Sequence, residues 1–338
     1  MTDSDTQLNL SLACWDYDRA QAILDGTVPV AGCRLRAEVH PTSTLFPLAV
    51  GDGRFDVTEM SMSSYILQVA KGAVGQSESA YVALPVFLSR AFRHNGFVVR
   101  ADAGIETPKD LEGKRVGVPE YQMTAGLWMR GILADEYGVD TDTFQWRTGA
   151  LEEGVRKDRI TLALPGHMSV TPIAEGETLQ DLLLAGELDA VFAPKPLAAL
   201  VAGDARVRRL FPDFRTVEEA YYAKTGFFPI MHAVGVRKTL VAEHPWLPRA
   251  LVAAFTQSRD IALARLDKIW RGSANRLSLP FLHADIERTR MVMGADFWSY
   301  GFQANRAELD AMCRWSQAQH LAPRRVAPEE LFHESVLS

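Results

Sequence analysis

Two histidines, two arginines and one glutamate stand where chemistry on a small acid would need them. An unperturbed imidazole titrates near neutrality, so His94 and His232 can each be expected to donate a proton or hydrogen-bond a hydroxyl. Each also reads as a satisfied structural histidine. Arg90 and Arg93 present planar forks suited to carboxylates, although one of them can equally pair with a structural carboxylate. Glu59 ends the strand-like run Phe55-Asp56-Val57-Thr58-Glu59, just before a helix start at Met60-Ser61. A carboxylate there can accept a proton, or simply neighbour a helix cap. Glu120-Tyr121-Gln122-Met123-Thr124 opens a helix after the strand Val116-Gly117-Val118. Free amides at such a helix start bind anions, and Tyr121 and Thr124 add hydroxyls; Thr124 also reads as a cap. Trp15, just beyond the first strand, can stack on a ring or pack.

Other chemistries lack their signatures. His40, His167, His244, His283, His320 and His333 have no partner at metal-motif spacing, so a local zinc motif is absent. There is no P-loop and no GxGxxG on a strand–turn–helix, and no cofactor is expected. A divalent metal gathered from the scattered His94, His232 and Glu59 stays open. Cys14, Cys33 and Cys313 are an odd, sparse set that forms neither a disulfide framework nor a CxxC site. The net charge of −6 and the lack of a dense basic run disfavour nucleic acid as a partner. The small basic groups at Arg206, Arg208, Arg209 and at Arg324, Arg325 read as solvated faces. The first residues, MTDSDTQLNLSLA, are polar and acidic, unlike a signal peptide, and no window is apolar enough for a membrane span. A cytoplasmic location is expected, with no membrane partner; a homo-oligomer stays open.

The positioning elements are legible as alternating strands and helices. Strands are expected near 8–13, 34–39, 55–59 and 80–88, with helices near 18–25, 43–50 and 61–70 between them. After His94 a second series begins: strands at 97–99 and 115–118, a long amphipathic helix over 122–137 ended by Gly138, a helix over 178–185 and a strand over 189–192. A strand at 231–236 follows, then mostly helices from Trp246. With 338 residues there is room for two α/β units. The expected organisation is a two-lobed α/β protein: residues 1–93 and 226–338 as a discontinuous first lobe, 94–225 as an inserted second lobe. Crossings near 89–96 and 223–232 would leave a ligand cleft between lobes, at strand C-termini.

Several strings resemble one family. They are Cys14-Trp15-Asp16-Tyr17-Asp18-Arg19, the run from Phe55 to Tyr65 (FDVTEMSMSSY), Ser89-Arg90-Ala91-Phe92-Arg93-His94-Asn95, the run from Gly113 to Ala125 (GKRVGVPEYQMTA), Gly226-Phe227-Phe228-Pro229-Ile230-Met231-His232, Trp298-Ser299-Tyr300-Gly301 and Asn305-Arg306. Together, in this order and across almost the whole length, they resemble the 4,5-dihydroxyphthalate decarboxylase family. The resemblance implies a periplasmic-binding-protein type II fold and loss of one carboxylate from 4,5-dihydroxyphthalate to give 3,4-dihydroxybenzoate and carbon dioxide. It departs at Lys195, where an arginine is expected, and at Ser299, where a proline is expected. Lys195 joins the residues implied to bind the aromatic dicarboxylate.

In that substrate each carboxylate lies para to a hydroxyl. Ionising or polarising the hydroxyl pushes electron density onto the carboxylate-bearing carbon. Protonation there breaks aromaticity, and departure of carbon dioxide restores it. Positioning and fixed electrostatics can supply the acceleration without a cofactor. His94 and His232 are the expected proton-handling pair. The alternatives are a non-catalytic cytosolic binding protein, or another enzyme on the same fold such as a naphthoate synthase or a thiamin-pyrimidine synthase; a cysteine-rich motif like that of the last is absent.

Overall fold

The run LNLSLAC forms β1 (Leu8–Cys14), which buries Leu10, Leu12 and Cys14 from alternate positions. There follow α1 (Gln21–Leu24), β2 (Cys33–Val39), α2 (Thr42–Val50), β3 (Val57–Ser61), α3 (Met62–Gly72) and β4 (Tyr81–Arg90). The next stretch holds β5 (Phe97–Arg100), β6 (Arg115–Val118), α4 (Thr124–Tyr137), β7 (Gln145–Thr148) and β8 (Ser169–Pro172). It continues through α5 (Leu179–Ala185), β9 (Ala190–Phe192), α6 (Ala198–Val201), β10 (Val207–Arg209) and α7 (Phe214–Thr225). The chain ends through β11 (Ile230–Arg237), α8 (Lys238–Glu243), α9 (Leu247–Trp270), α10 (Leu282–Met293) and α11 (Phe302–Ala318). This computed structural model describes residues 7–51, 53–76, 78–154, 160–274 and 276–338.

The strands form two mixed sheets. One has the order β2-β1-β3-β11-β4, the other β10-β5-β9-β6-β7-β8. β1 runs parallel to β2 and β3, whereas β11 returns from far along the chain to lie antiparallel between β3 and β4. β4 takes the sheet edge, which tolerates Pro85 because no neighbour there needs its missing amide. The three strands that the sequence did not announce, β7, β8 and β10, are three or four residues long and partly polar. Their pairing comes from neighbouring backbone rather than from a hydrophobic pattern.

α4 departs from its expected amphipathic character. Every residue from Thr124 to Leu133 is buried, including Arg130. The cause is a position with packing on all sides. Trp128 stands edge-on to Trp315 of α11 at 4.9 Å and donates its indole N–H to the Ile230 carbonyl at 2.8 Å. The buried Arg130 guanidinium bonds Gln319 Oε1 and the Tyr121 carbonyl, both at 2.7 Å. Through α4 one hydrophobic core becomes continuous between Leu12 and Val57 near one sheet and Trp146 and Phe192 of the other. Among the described residues no helix is long and apolar enough to cross a membrane.

Candidate active site

The C-terminal end of β3 carries the densest polar arrangement. All five β3 residues are buried, and Glu59 is fully so. A buried carboxylate is tolerable only when hydrogen-bonded, and three donors reach this one. The Trp15 amide donates to Oε2 at 2.9 Å, and the Tyr17 hydroxyl to Oε1 at 2.6 Å. His232 Nδ1 lies 2.7 Å from Oε1. A carboxylate only accepts, so Nδ1 carries the proton and Nε2 is left facing away from Glu59. Burial and the Glu59 charge push the Tyr17 phenol well above its ordinary value, which keeps it a donor.

Strand pairing explains how His232 gets there. It sits opposite Ser61 of β3, and the β11–β4 register shifts on both sides of it. Such bulges re-aim a side chain. The edge of the Phe46 ring, from α2, meets the imidazole with centroids 4.7 Å apart. The His232 side chain keeps 17% of its surface exposed, enough for exchange with a ligand or solvent.

Beside the dyad, two helices begin face to face. Thr124, first residue of α4, places Oγ1 3.0 Å from Ser61 Oγ and accepts the Ser63 amide of α3 at 3.1 Å. Ser63 Oγ and both amide atoms of Gln122 are buried without a hydrogen-bond partner among the described residues. Two helix N-termini and these polar groups make a place suited to negative charge. Trp15 stands 45% exposed at the rim, edge-on to Tyr17. A cleft of about 490 Å³ opens between Ser43 of α2 and the loops holding Pro119, Ala150, Glu152 and Pro194-Lys195. Ser43 lies one turn from Phe46, which joins the cleft wall to the His232 ring.

The arginines separate. Arg93 donates from Nε to the Met231 sulfur and from Nη1 to the Pro194 carbonyl, both at 3.2 Å. Among the described residues no carboxylate forms an ion pair with it, and burial pulls its guanidinium down to about 10 against the opposing charge of Glu218. Its remaining fork suits a carboxylate ligand. Arg90 turns to protein partners. Its Nη1 reaches the Phe228 carbonyl at 2.7 Å and Glu308 at 3.1 Å, and Nη2 reaches the Ser299 carbonyl and Asn305. That fork is consumed in tying β4 to β11 and α11. Ser299 serves it through a backbone carbonyl, which a proline would also offer.

His94 lies apart from the Glu59–His232 dyad. It is 1% exposed and enclosed by Phe97, Tyr137, Phe211 and Tyr221, and among the described residues neither ring nitrogen has a hydrogen-bond partner. Burial lowers it to about 4, so it is neutral near pH 7. Among the described residues no hydrogen bond or ring contact joins it to His232, and the group of possible metal ligands brought together is Asp142, His167 and His320 rather than His94, His232 and Glu59. Tyr121 is likewise spent in the core, against Trp146 and Arg130. Glu120 is buried in the loop before α4. Lys195 borders the cleft with its ammonium on Glu152 at 2.5 Å. Sequence reasoning gave no role to Tyr17, Phe46, Ser61 or Gln122; nothing in their spacing announces that they converge.

The chain is 42% identical over 332 residues to the 4,5-dihydroxyphthalate decarboxylase of Comamonas testosteroni, with 98% of each chain covered. It belongs to the 4,5-dihydroxyphthalate decarboxylase family. A second member, from Pseudomonas putida, is 38% identical over 216 residues, covering 64% of this chain and 82% of that one. Residues 88–177 also match the family model described as NMT1/THI5 like. In architecture the chain is similar to the periplasmic sulfonate-binding protein SsuA of Methylobacillus flagellatus KT, with a TM-score of 0.58 at 14% identity, over 97% of this chain and 92% of that one. That likeness establishes the periplasmic-binding-protein-like α/β fold of the family and no more.

Proposed function

We propose that this chain removes one carboxylate from 4,5-dihydroxyphthalate, releasing carbon dioxide and 3,4-dihydroxybenzoate, with His232 as the acid. The observation that carries the assignment is the Glu59–His232 contact at 2.7 Å beside a cleft. Glu59 is sealed behind three donors and cannot reach a ligand, so it is a positioning residue that stabilises the imidazolium. Arg93 and the facing starts of α3 and α4 hold the carboxylates, and Trp15 covers the ring. Because these anion-holding groups flank His232, its Nε2 faces a carboxylate-bearing carbon rather than a hydroxyl.

With electron density pushed para from an ionised hydroxyl, the imidazolium Nε2–H passes its proton to the ring carbon and a C–H bond forms. The C–C bond to the carboxylate then breaks, its pair returns to the ring, and carbon dioxide leaves. Solvent reprotonates the imidazole, so one proton is consumed per turnover. Lys195 and Glu152 would border the substrate rather than anchor it.

Residues 1–93 with 226–338 are inferred to move as one lobe, and 94–225 as the other, because β11 lies within the first sheet while β5 to β10 build the second. The substrate is a soluble intermediate of aromatic breakdown, and a cytoplasmic site of action is part of this proposal.

His232→Gln tests the assignment. Well-folded variant protein should lose about 10²-fold or more in kcat, the scale of a positioned acid. Wild-type turnover in deuterium oxide should place deuterium at the vacated ring carbon. Stoichiometric binding with no product from the wild type would instead mark a non-catalytic binding protein.

A further inference from the structure

We propose that Asp142, His167 and His320 form a binding site for a divalent cation of the zinc class, which fastens the end of α11 to the six-stranded sheet. The three come from distant parts of the chain, and one ligand atom from each lies within 4.8 Å of the others. His320 Nε2 is 2.9 Å from Asp142 Oδ2, and His167 Nε2 is 3.7 Å from the same oxygen. The two imidazoles stand nearly perpendicular, 85° between planes with centroids 6.0 Å apart, so they converge on the carboxylate edge-first rather than stacking.

The backbone around each ligand is fixed. Asp142 lies in the turn Thr141–Thr143 just before β7, and the Trp146 indole donates to the Thr141 carbonyl. His167 sits in a turn closed by Met168 N–H to the Pro165 carbonyl, immediately before β8, which pairs with β7. His320 follows α11 with φ of 60°, the left-handed position among the described non-glycine residues. The His320 amide donates to the Gln317 carbonyl and the Leu321 amide to the Ser316 carbonyl. This is a Schellman closure in which glycine is the usual residue. An imidazole is kept there although glycine would adopt the conformation without strain. Its neighbour Gln319 is locked to α4 through Arg130 and the Leu127 carbonyl.

Two imidazoles and one carboxylate offer a nitrogen-rich donor set. That set suits zinc, cobalt or nickel and not magnesium or calcium, which prefer all-oxygen ligation. Three protein ligands leave a fourth position for water. The partly exposed side chains, 63% for His167 and 31% for each of the others, give the ion access.

The test uses the full chain stripped with a chelator and titrated calorimetrically with zinc chloride and, separately, magnesium chloride. One zinc per chain should bind and raise the melting temperature, while magnesium should do neither. His167→Ala and His320→Gly should each weaken zinc binding at least tenfold and abolish the thermal shift. His320→Gly also relieves the left-handed backbone, so loss of binding there is not loss of fold. His232→Gln should bind zinc as the wild type does. Absence of saturable zinc binding, unchanged binding in His167→Ala and His320→Gly, or loss of binding in His232→Gln would each overturn the proposal; the last would move the ion to the Glu59–His232 dyad.

Discussion

Arg90 and Arg93 stand three residues apart in one short string, and their side chains have opposite fates. Arg90 is the last residue of β4 and meets Glu308, whose other oxygen accepts the Ile230 amide at 2.6 Å. Burial disfavours both charges, pulling Arg90 down and Glu308 up, so the pair persists because each satisfies the other. Arg90→Ala should therefore cost stability, roughly 3–5 kcal/mol, because a buried carboxylate loses its partner. Arg93→Ala should leave the fold largely intact and weaken binding of 4,5-dihydroxyphthalate about ten- to a hundredfold, the loss of a charge-assisted hydrogen bond worth roughly 1.5–3 kcal/mol. Denaturant melts and equilibrium binding on both variants separate the two roles. A stable Arg90→Ala that fails to bind would invert them. The residue types were legible as carboxylate ligands; which carboxylate each meets was not, because Glu308 lies 218 positions away.

At the scale of elements, the site depends on how closely helices approach the sheets. Gly131 of α4 faces Trp315 of α11 so tightly that a Cβ there would lie 2.4 Å from the indole Cδ2. Gly131→Ala should force the two helices apart and destabilise by roughly 1–3 kcal/mol, the usual cost of overpacking. Adding Trp315→Phe, which thins the obstructing ring, should recover part of the loss; thermal melts of the single and double variants check this. An unchanged melting temperature in Gly131→Ala would mean the helices are free to separate. The bulge around His232 is a second device at this scale. Its apolar flanks, Ile230 to Val236, mark a strand, but only pairing with β3 on one side and β4 on the other turns the imidazole toward Glu59.

For the whole molecule, proton-linked stability follows from burial. His94 titrates near 6.5 when unfolded and near 4 in the fold, because its aromatic enclosure disfavours the cation. Its neutral form thus supports the native state fully above about 6.5, and this support is lost as pH falls toward 4. His94→Phe removes that linkage. The variant should keep near-normal kcat and gain stability relative to wild type progressively as pH is lowered from 7 to 4, measured by denaturant unfolding at each pH. A large loss of kcat in a well-folded His94→Phe protein would return His94 to the chemistry. Glu218 opposes this trend: burial raises it to about 7, so its contribution is greatest below about 4.5 and is lost as pH rises through 7. Comparing variants at a single pH isolates His94 from it.

Local pattern determined a good deal by itself. The short strand LNLSLA, the alternation in RLRAEV and the glycine stop at Gly138 are properties of adjacent residues and emerge in the fold nearly as read, while the strand-to-helix junction expected after Glu59 falls two residues later, after Ser61. The family strings, too, lie in short contiguous windows. Only the tertiary structure decided what lies across a sheet or behind a helix. It buried α4 from Thr124 to Leu133, withdrew His94 into an aromatic cage, spent Arg90 on Glu308, and joined Glu59 to Tyr17 and His232. It also gathered Asp142, His167 and His320, which share no sequence motif. The physical reason is the same in each case. Burial and hydrogen-bond satisfaction depend on partners tens to hundreds of residues away, and no local spacing records them.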